Sequence, residues 1–232
     1  MLWYDKNILN NHKIIYICYP FWLADFLFYE NKESYLRFWR GYGSFCVLKG
    51  DFTMEKKNLF IDMDGVLAEW REDQTAKDTY RKGYFENLRP YSNVVGAVRQ
   101  IISLYPDISV YILSAVYPDN NHAISEKRCW LKKYLPEIAD ENIFFVDCGC
   151  RKSVICPGMS FDDVLLDDYN ANLNDWKQHG GTAVKVYNEV NSPVSTLYQV
   201  INKNDHPDAI VVDILHAIGY SLFASEKTAI SA

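Results

Sequence analysis

From residue 57 onward, apolar and polar positions succeed one another in a regular order. Lys57 to Asp62 (KNLFID) is a short apolar run of strand length. Ser92 or Asn93 then caps a stretch in which Val94, Val95, Val98, Ile101 and Ile102 share one face at a 3.6-residue period, closed by Pro106. Ile108 to Leu113 (ISVYIL) predicts a second strand, Ile124 to Leu135 a helix ended by Pro136, and Ile143 to Val146 (IFFV) a third strand. Val164 to Leu166 predicts a fourth strand running into Asp167. Asn170 to His179 predicts a helix stopped by Gly180-Gly181, and Thr182 to Tyr187 (TAVKVY) a fifth strand. Pro207 opens a last helix with Val211, Ile214, Leu215, Ile218 and Leu222 on one side. Short apolar strands alternating with amphipathic helices imply an α/β fold, a parallel sheet flanked by helices on both faces. In such sheets ligands bind at the carboxyl ends of the strands.

The first 53 residues break this order. They are rich in aromatics (Trp3, Tyr4, Tyr16, Tyr19, Phe21, Trp22, Phe26, Phe28, Tyr29, Trp39) and have no clean period. Their apolar run from Ile14 to Tyr29 is shorter than the ~20 residues a spanning helix needs and contains Pro20 and Asp25, so no membrane segment is expected. The reading is therefore an N-terminal extension over 1–53 and a single α/β domain over 54–232.

A net charge of -6 and a pI of about 5.4 give no basic face for a nucleic-acid backbone, while small phosphorylated compounds remain possible partners. The six cysteines (Cys18, Cys46, Cys129, Cys148, Cys150, Cys156) occur without an evident secretory signal and are expected to be reduced cytoplasmic thiols. Cys148-Gly149-Cys150 with Cys156 lacks the paired spacing of common zinc sites.

The acidic residues fall where the strands end. Asp62-Met63-Asp64-Gly65 places two carboxylates two residues apart after a buried strand, with Gly65 allowing a sharp turn. Carboxylates gathered in this way repel one another unless a cation neutralises them, and a hard divalent ion such as Mg2+ with oxygen ligands is the natural answer. Asp167-Asp168 repeats the pattern at another strand end, although an acidic pair also suits the first turn of the following helix. Ser114 closes the strand ISVYIL, where its hydroxyl and the next backbone N–H, that of Ala115, would suit phosphate oxygens. Lys152 follows the strand IFFV and offers a cation against transition-state charge, with Arg151 as a competing candidate.

These four segments, in this order, resemble the haloacid dehalogenase (HAD) superfamily: Asp62-Met63-Asp64-Gly65-Val66-Leu67, Ser114, Lys152 and Asp167-Asp168. The resemblance covers roughly residues 57–190 and implies a Rossmann-like HAD fold. It implies that Asp62 attacks phosphorus and forms an aspartyl-phosphate, and that Asp64 protonates the leaving oxygen and then activates water. It further implies magnesium held by Asp62, the Asp64 carbonyl and Asp168, with Asp167 as outer support. Superfamily members that work on phosphate keep the second aspartate, so Asp64 points to phosphoryl transfer rather than dehalogenation.

A narrower resemblance is to the 5'(3')-deoxyribonucleotidase group. It is carried by Asp62 to Ala68, by Gly83-Tyr84-Phe85-Glu86-Asn87-Leu88-Arg89-Pro90, by Glu126-Lys127-Arg128-Cys129-Trp130-Leu131 and by Leu165 to Asn170. Tyr169 departs from that group, which usually carries arginine there. The short stretch before the Ser92 helix leaves room only for a small helical cap, at about 69–91. Within it Trp70 and Phe85 are candidates to stack on a base, against the alternative that they pack the cap onto the core. The implied substrate is a nucleoside monophosphate. Sugar phosphates or other small phosphometabolites, or a non-catalytic nucleotide-binding module, are the competing readings. Met54-Glu55-Lys56-Lys57 leads directly into the first motif. Translation is therefore expected to start at Met54, with Lys49-Gly50-Asp51 able to encode a ribosome-binding run ahead of it. A genuine aromatic arm is the alternative.

Overall fold

The computed structural model describes residues 57–73, 75–191 and 198–220 with their side chains, and three further strands at the level of the backbone. The chain forms two compact units, one of residues 1–54 with 223–232 and one of residues 55–222.

In the first unit, β1 (Lys13–Ile17), β2 (Tyr35–Arg40) and β3 (Ser44–Lys49) make an antiparallel sheet in the order β1-β3-β2, with Ile15 opposite Val47 and Phe38 opposite Cys46. The sequence reading assigned no element here. Apolar residues fill both parities of these segments, as in Phe45-Cys46-Val47-Leu48, so no alternation marks a strand.

The second unit carries a six-stranded sheet of β4 (Lys57–Ile61), β5 (Ile108–Val116), β6 (Ile143–Asp147), β7 (Asp163–Asp167), β8 (Thr182–Tyr187) and β9 (Gln199–Asn202). Its order is β6-β5-β4-β7-β8-β9 and every pairing is parallel. The helices are α1 (Ser92–Leu104), α2 (Ala123–Tyr134), α3 (Asn170–Gln178) and α4 (Pro207–Ala217). This is the expected α/β architecture. The differences are an edge strand β9 that the sequence did not signal and a β5 that continues through Ser114 and Ala115.

Side chains alternate between the two faces of the sheet. Leu59, Ile61, Val164, Leu166, Val184 and Val186 pack in one core with residues of α1, α2 and α4. Phe60, Leu113, Val146 and Leu165 pack in a smaller one with Leu173 and Trp176 of α3. From β4 the chain first builds outward through β5 and β6, then returns to β7 on the other side. That reversal puts the end of β4 at the crevice where such sheets bind ligands.

The insert between β4 and α1 was expected as a small helical cap. It holds one 3₁₀ turn, Asp78–Tyr80, and otherwise turns. Its two ends run side by side: Glu69 N–H donates to the Arg89 carbonyl at 2.8 Å and Tyr91 N–H to the Leu67 carbonyl at 2.8 Å.

Candidate active site

Asp62 follows β4 directly, and its N–H donates to the Leu166 carbonyl of the neighbouring β7 at 2.9 Å. This ties the two acidic strand ends together. The chain then folds back on itself. Leu67 and Ala68 N–H both reach the Met63 carbonyl, at 2.9 and 2.8 Å, and Gly65 N–H reaches the Ala68 carbonyl at 2.7 Å. Gly65 has φ +79°, and a Cβ there would overlap Asp168 Oδ2 and crowd Asn188 Nδ2, so both conformation and space demand glycine.

The result is a floor of three carboxylates. Asp62, Asp167 and Asp168 are 7%, 0% and 3% exposed, and their oxygens lie within 4.8 Å of one another. Among the described residues this is the one cluster with the spacing for a metal ion. The sequence had set the cysteine run aside as a zinc site, and Cys148 and Cys150 are exposed free thiols.

Both oxygens of Asp167 are engaged: Oδ1 accepts from Tyr169 N–H at 2.7 Å, and Oδ2 from Lys152 Nζ at 2.7 Å and Asn172 Nδ2 at 3.0 Å. The Asp168 contacts with Asn188 (2.6 Å) and Asn191 both fall on Oδ2. Asp62 Oδ1 lies 2.8 Å from Lys152 Nζ as an ion pair, without the angles of a hydrogen bond, and is buried with no hydrogen-bond partner. A buried carboxylate oxygen left in that state is what a metal ligand looks like without its ion.

Burial, and then the neighbouring carboxylates Asp167 and Asp62, push Asp168 up to about 8. Burial likewise raises Asp167 and Asp64 above the ordinary carboxylate range, although Lys152 and Lys127 respectively pull the other way. Burial pulls Lys152 down, but Asp167 and Asp62 outweigh it and hold its ammonium charged.

Ser114 is fully buried within β5 rather than beyond its end. Its Oγ accepts from Lys127 Nζ at 2.8 Å, and the same ammonium reaches the Ala115 carbonyl at 2.7 Å and Asp64 Oδ2 at 2.5 Å. Lys127 lies in the second turn of α2, with no exposed surface, and its ammonium sits 4.6 Å above the ring of Phe85. Sequence reasoning had not singled it out as a site residue. Its signal was a charged pair, Glu126-Lys127, on the face of α2 that also buries Ala123, Trp130 and Leu131. An unpaired charge is rarely tolerated on such a face. Lys185 and Asn188 were missed as well. Lys185 Nζ donates to the Asp168 carbonyl and to Asn170 Oδ1, and Asn188 Nδ2 bridges the Gly65 carbonyl (2.9 Å) and Asp168 Oδ2.

With all of them ionised, the four carboxylates (Asp62, Asp64, Asp167, Asp168) facing three buried lysines (Lys127, Lys152, Lys185) would leave one net negative charge. A divalent cation would turn the site positive and receptive to a phosphate dianion.

Of the two aromatic candidates, Phe85 is 4% exposed and belongs to the core beneath Lys127. Trp70 is half-buried and lines a cleft of about 570 Å³ with Tyr91, Asn188, Glu189 and Lys203. Asn188 joins this cleft to the acidic floor.

The insert is fastened to α2. Glu126 carboxylate accepts from Gly83 N–H (2.5 Å) and Phe85 N–H (3.1 Å), Trp130 Nε1 donates to the Leu88 carbonyl (2.8 Å), and Asn120 Nδ2 donates to the Thr79 carbonyl (2.8 Å). Two of the sequence phrases that carried the narrower resemblance are therefore halves of one contact.

The family described as "5' nucleotidase, deoxy (Pyrimidine), cytosolic type C protein" matches residues 71–215, more than half of the chain. Two solved structures are similar at 12% identity, both covering 69% of this chain. One is a D,D-heptose 1,7-bisphosphate phosphatase from Burkholderia thailandensis (99% of that chain, TM-score 0.47). The other is the enzyme of the same name from B. bronchiseptica, complexed with magnesium and phosphate (98% of that chain, TM-score 0.49). No curated protein matches the chain.

Proposed function

The chain belongs to the cytosolic type C 5' nucleotidase family, a HAD-like phosphatase family, and from that premise we propose that it hydrolyses nucleoside monophosphates, deoxynucleotides among them, with magnesium and through an aspartyl-phosphate on Asp62. The observation that carries the reading is the buried trio Asp62, Asp167 and Asp168, with Lys127 and Ser114 beside Asp64.

In this reading Asp62 attacks phosphorus while Asp64 gives its proton to the leaving ester oxygen, releasing the nucleoside. Burial favours the protonated Asp64 that this step needs. Asp64, now ionised, takes a proton from water as the water attacks phosphorus, and the Asp62–phosphorus bond breaks to release phosphate. Lys127 and Ser114 hold the phosphate oxygens, and the N–H of Ala115 adds a donor. Lys152 pairs with Asp62 and Asp167 and holds both in place.

Asp62, Asp168 and the Asp64 carbonyl would hold the magnesium, with Asp167 held back by its own hydrogen bonds as support. When bound, the ion supplies positive charge to the transferring phosphate and relieves repulsion among the carboxylates. Trp70 is the candidate base contact from the cleft wall, and Phe85 supports Lys127 from below.

The proposed setting is the cytoplasm. The exposed thiols Cys129, Cys148 and Cys150 suit a reducing compartment, and among the described residues no helix is long and apolar enough to cross a membrane. The catalytic domain is taken to run from residue 54, with 1–53 as an extension.

The test is phosphate release from a panel of deoxy- and ribonucleoside monophosphates and sugar phosphates, each with magnesium, with chelator and with Asp62→Asn. Magnesium-dependent turnover of nucleotides that the mutant loses is the expected result. Turnover confined to sugar phosphates would overturn the substrate class, and no Asp62-dependent release at all would overturn the mechanism.

A further inference from the structure

One polar atom under the cap has no part in the chemistry above. Tyr84 is 9% exposed, and its hydroxyl is buried without a hydrogen-bond partner. Burying a hydroxyl unpaired costs the fold a desolvation penalty that a partner would remove, so an orphan of this kind asks for a reason.

The residue is held firmly. The N–H groups on either side of it, of Gly83 and Phe85, are both taken by the Glu126 carboxylate, and its own N–H reaches the Arg81 carbonyl at 3.0 Å. Its ring packs edge-on against Phe85, with centroids 4.9 Å apart, and Phe85 in turn carries the Lys127 ammonium on its face. The hydroxyl is thus a fixed group, mounted on the same support as the phosphate-side lysine.

Burial raises the phenol above its ordinary range, and of the charged groups Asp64 raises it further, ahead of Asp78, with Arg81 and Arg71 pulling the other way. Asp64 Oδ1 is itself buried without a hydrogen-bond partner. Two buried polar atoms without partners therefore belong to the segments that bound the site, one on the acidic loop and one on the cap. Asp64 serves the leaving oxygen, so the substrate atoms that come next on the cap side are those of the alcohol portion.

Resting on the phosphatase reading above, we infer that Tyr84 determines specificity, its hydroxyl hydrogen-bonding an oxygen of the substrate's sugar beside the phosphate ester. The cap then selects sugar-bearing phosphate monoesters over simple aryl or alkyl ones.

The experiment compares wild type and Tyr84→Phe on nucleoside monophosphates, sugar phosphates and p-nitrophenyl phosphate, which has no sugar oxygen, and records the melting temperature of each protein. The expected result is a loss of about tenfold in kcat/KM on the sugar-bearing substrates. Turnover of p-nitrophenyl phosphate stays unchanged, and the melting temperature stays level or rises as the orphan hydroxyl goes. Unchanged kcat/KM on every substrate would overturn the inference. So would an equal loss on p-nitrophenyl phosphate with a moved acid limb of the pH profile, since Tyr84 would then act through Asp64. A wild type without Asp62-dependent turnover would sink the phosphatase reading and this one with it. Normal wild-type turnover with an indifferent Tyr84→Phe sinks this one alone.

Discussion

The floor of the site comes from strand ends: Asp62 after β4, and Asp167 and Asp168 at the end of the adjacent β7, joined by one backbone hydrogen bond. Its wall, residues 69–91, has among its described residues a single 3₁₀ turn and is held by side chains reaching from α2 and from the loop before it: Glu126, Trp130 and Asn120. Carboxylates crowd the floor, and their mutual repulsion costs the fold energy until a cation arrives. Backbone groups of the wall are satisfied by α2, so its contacts stabilise. The two regions should therefore fail in opposite ways, the floor losing chemistry without losing the fold and the wall the reverse.

Asp62→Asn tests the floor most sharply. It keeps the shape of the side chain and removes the proposed nucleophile, so phosphate release should fall by at least about a thousandfold. The melting temperature of the metal-free protein should hold or rise, because one buried charge leaves the cluster. A mutant that both unfolds and loses activity would break the contrast.

Lys127 belongs to both regions, with its ammonium on Asp64 and Ser114 and its charge over Phe85 of the wall. Lys127→Met keeps most of the buried stem and removes the charge. A drop in kcat of about a hundredfold is expected from a lost transition-state cation. The melting temperature should fall as well, since Asp64 is left without its ion pair. Lys127→Arg should not restore activity, because a planar guanidinium does not fit a fully enclosed ammonium site with three fixed acceptors.

The wall alone is reached by Glu126→Ala, which orphans the N–H groups of Gly83 and Phe85. A stability loss of about 3 kcal/mol is expected from two bonds to a buried carboxylate. Hydrogen exchange should speed up across residues 83–88. The activity effect should be smaller than for Lys127→Met, about tenfold, and should appear in KM rather than kcat.

How much of each region could be read from sequence follows from the same difference. Asp62, Asp64, Asp167 and Asp168 are legible because a strand and the residue after it are contiguous, and parallel strands bring their ends together without further instruction. Ser114 and Lys152 follow by the same rule, although β5 runs on past Ser114, so that the serine lies inside the strand. Lys127 and Asn188 were missed because each works across the fold, and Lys185 because it stands inside β8 rather than at a strand end. Lys127 reaches from a helix to a loop 63 residues earlier, and Asn188 to one 123 residues earlier. Phe85 was a candidate base contact, with packing onto the core as the alternative, because aromatics in an insert look available; what places it in the core is Lys127 above it and Glu126 holding its backbone. Charged residues on the buried face of α2 were the local sign that something across the fold awaited them.

The smallest effect probes the floor without any mutation. Asp168 is pushed from an ordinary carboxylate value up to about 8, and Asp167 and Asp64 are raised as well. In the metal-free protein the folded state therefore binds more protons than the unfolded one at every pH between the ordinary carboxylate range and about 8. Stability must fall as pH rises through that window. Chelated protein should lose several degrees of melting temperature between pH 5 and pH 8. Asp168→Asn, which takes one of these raised carboxyl groups out of the cluster, should flatten the slope. Magnesium should flatten it too, because an ion that binds only the folded, ionised cluster restores most stability where the protons are gone. The wall offers no such lever: the Glu126 contacts that hold it are already satisfied, and Glu126→Ala should lower the whole curve while leaving its slope intact. A chelated protein whose stability rises from pH 5 to pH 8 would mean that the three carboxylates are not held together without the ion, and the contrast between a strained floor and a satisfied wall would fail at its root.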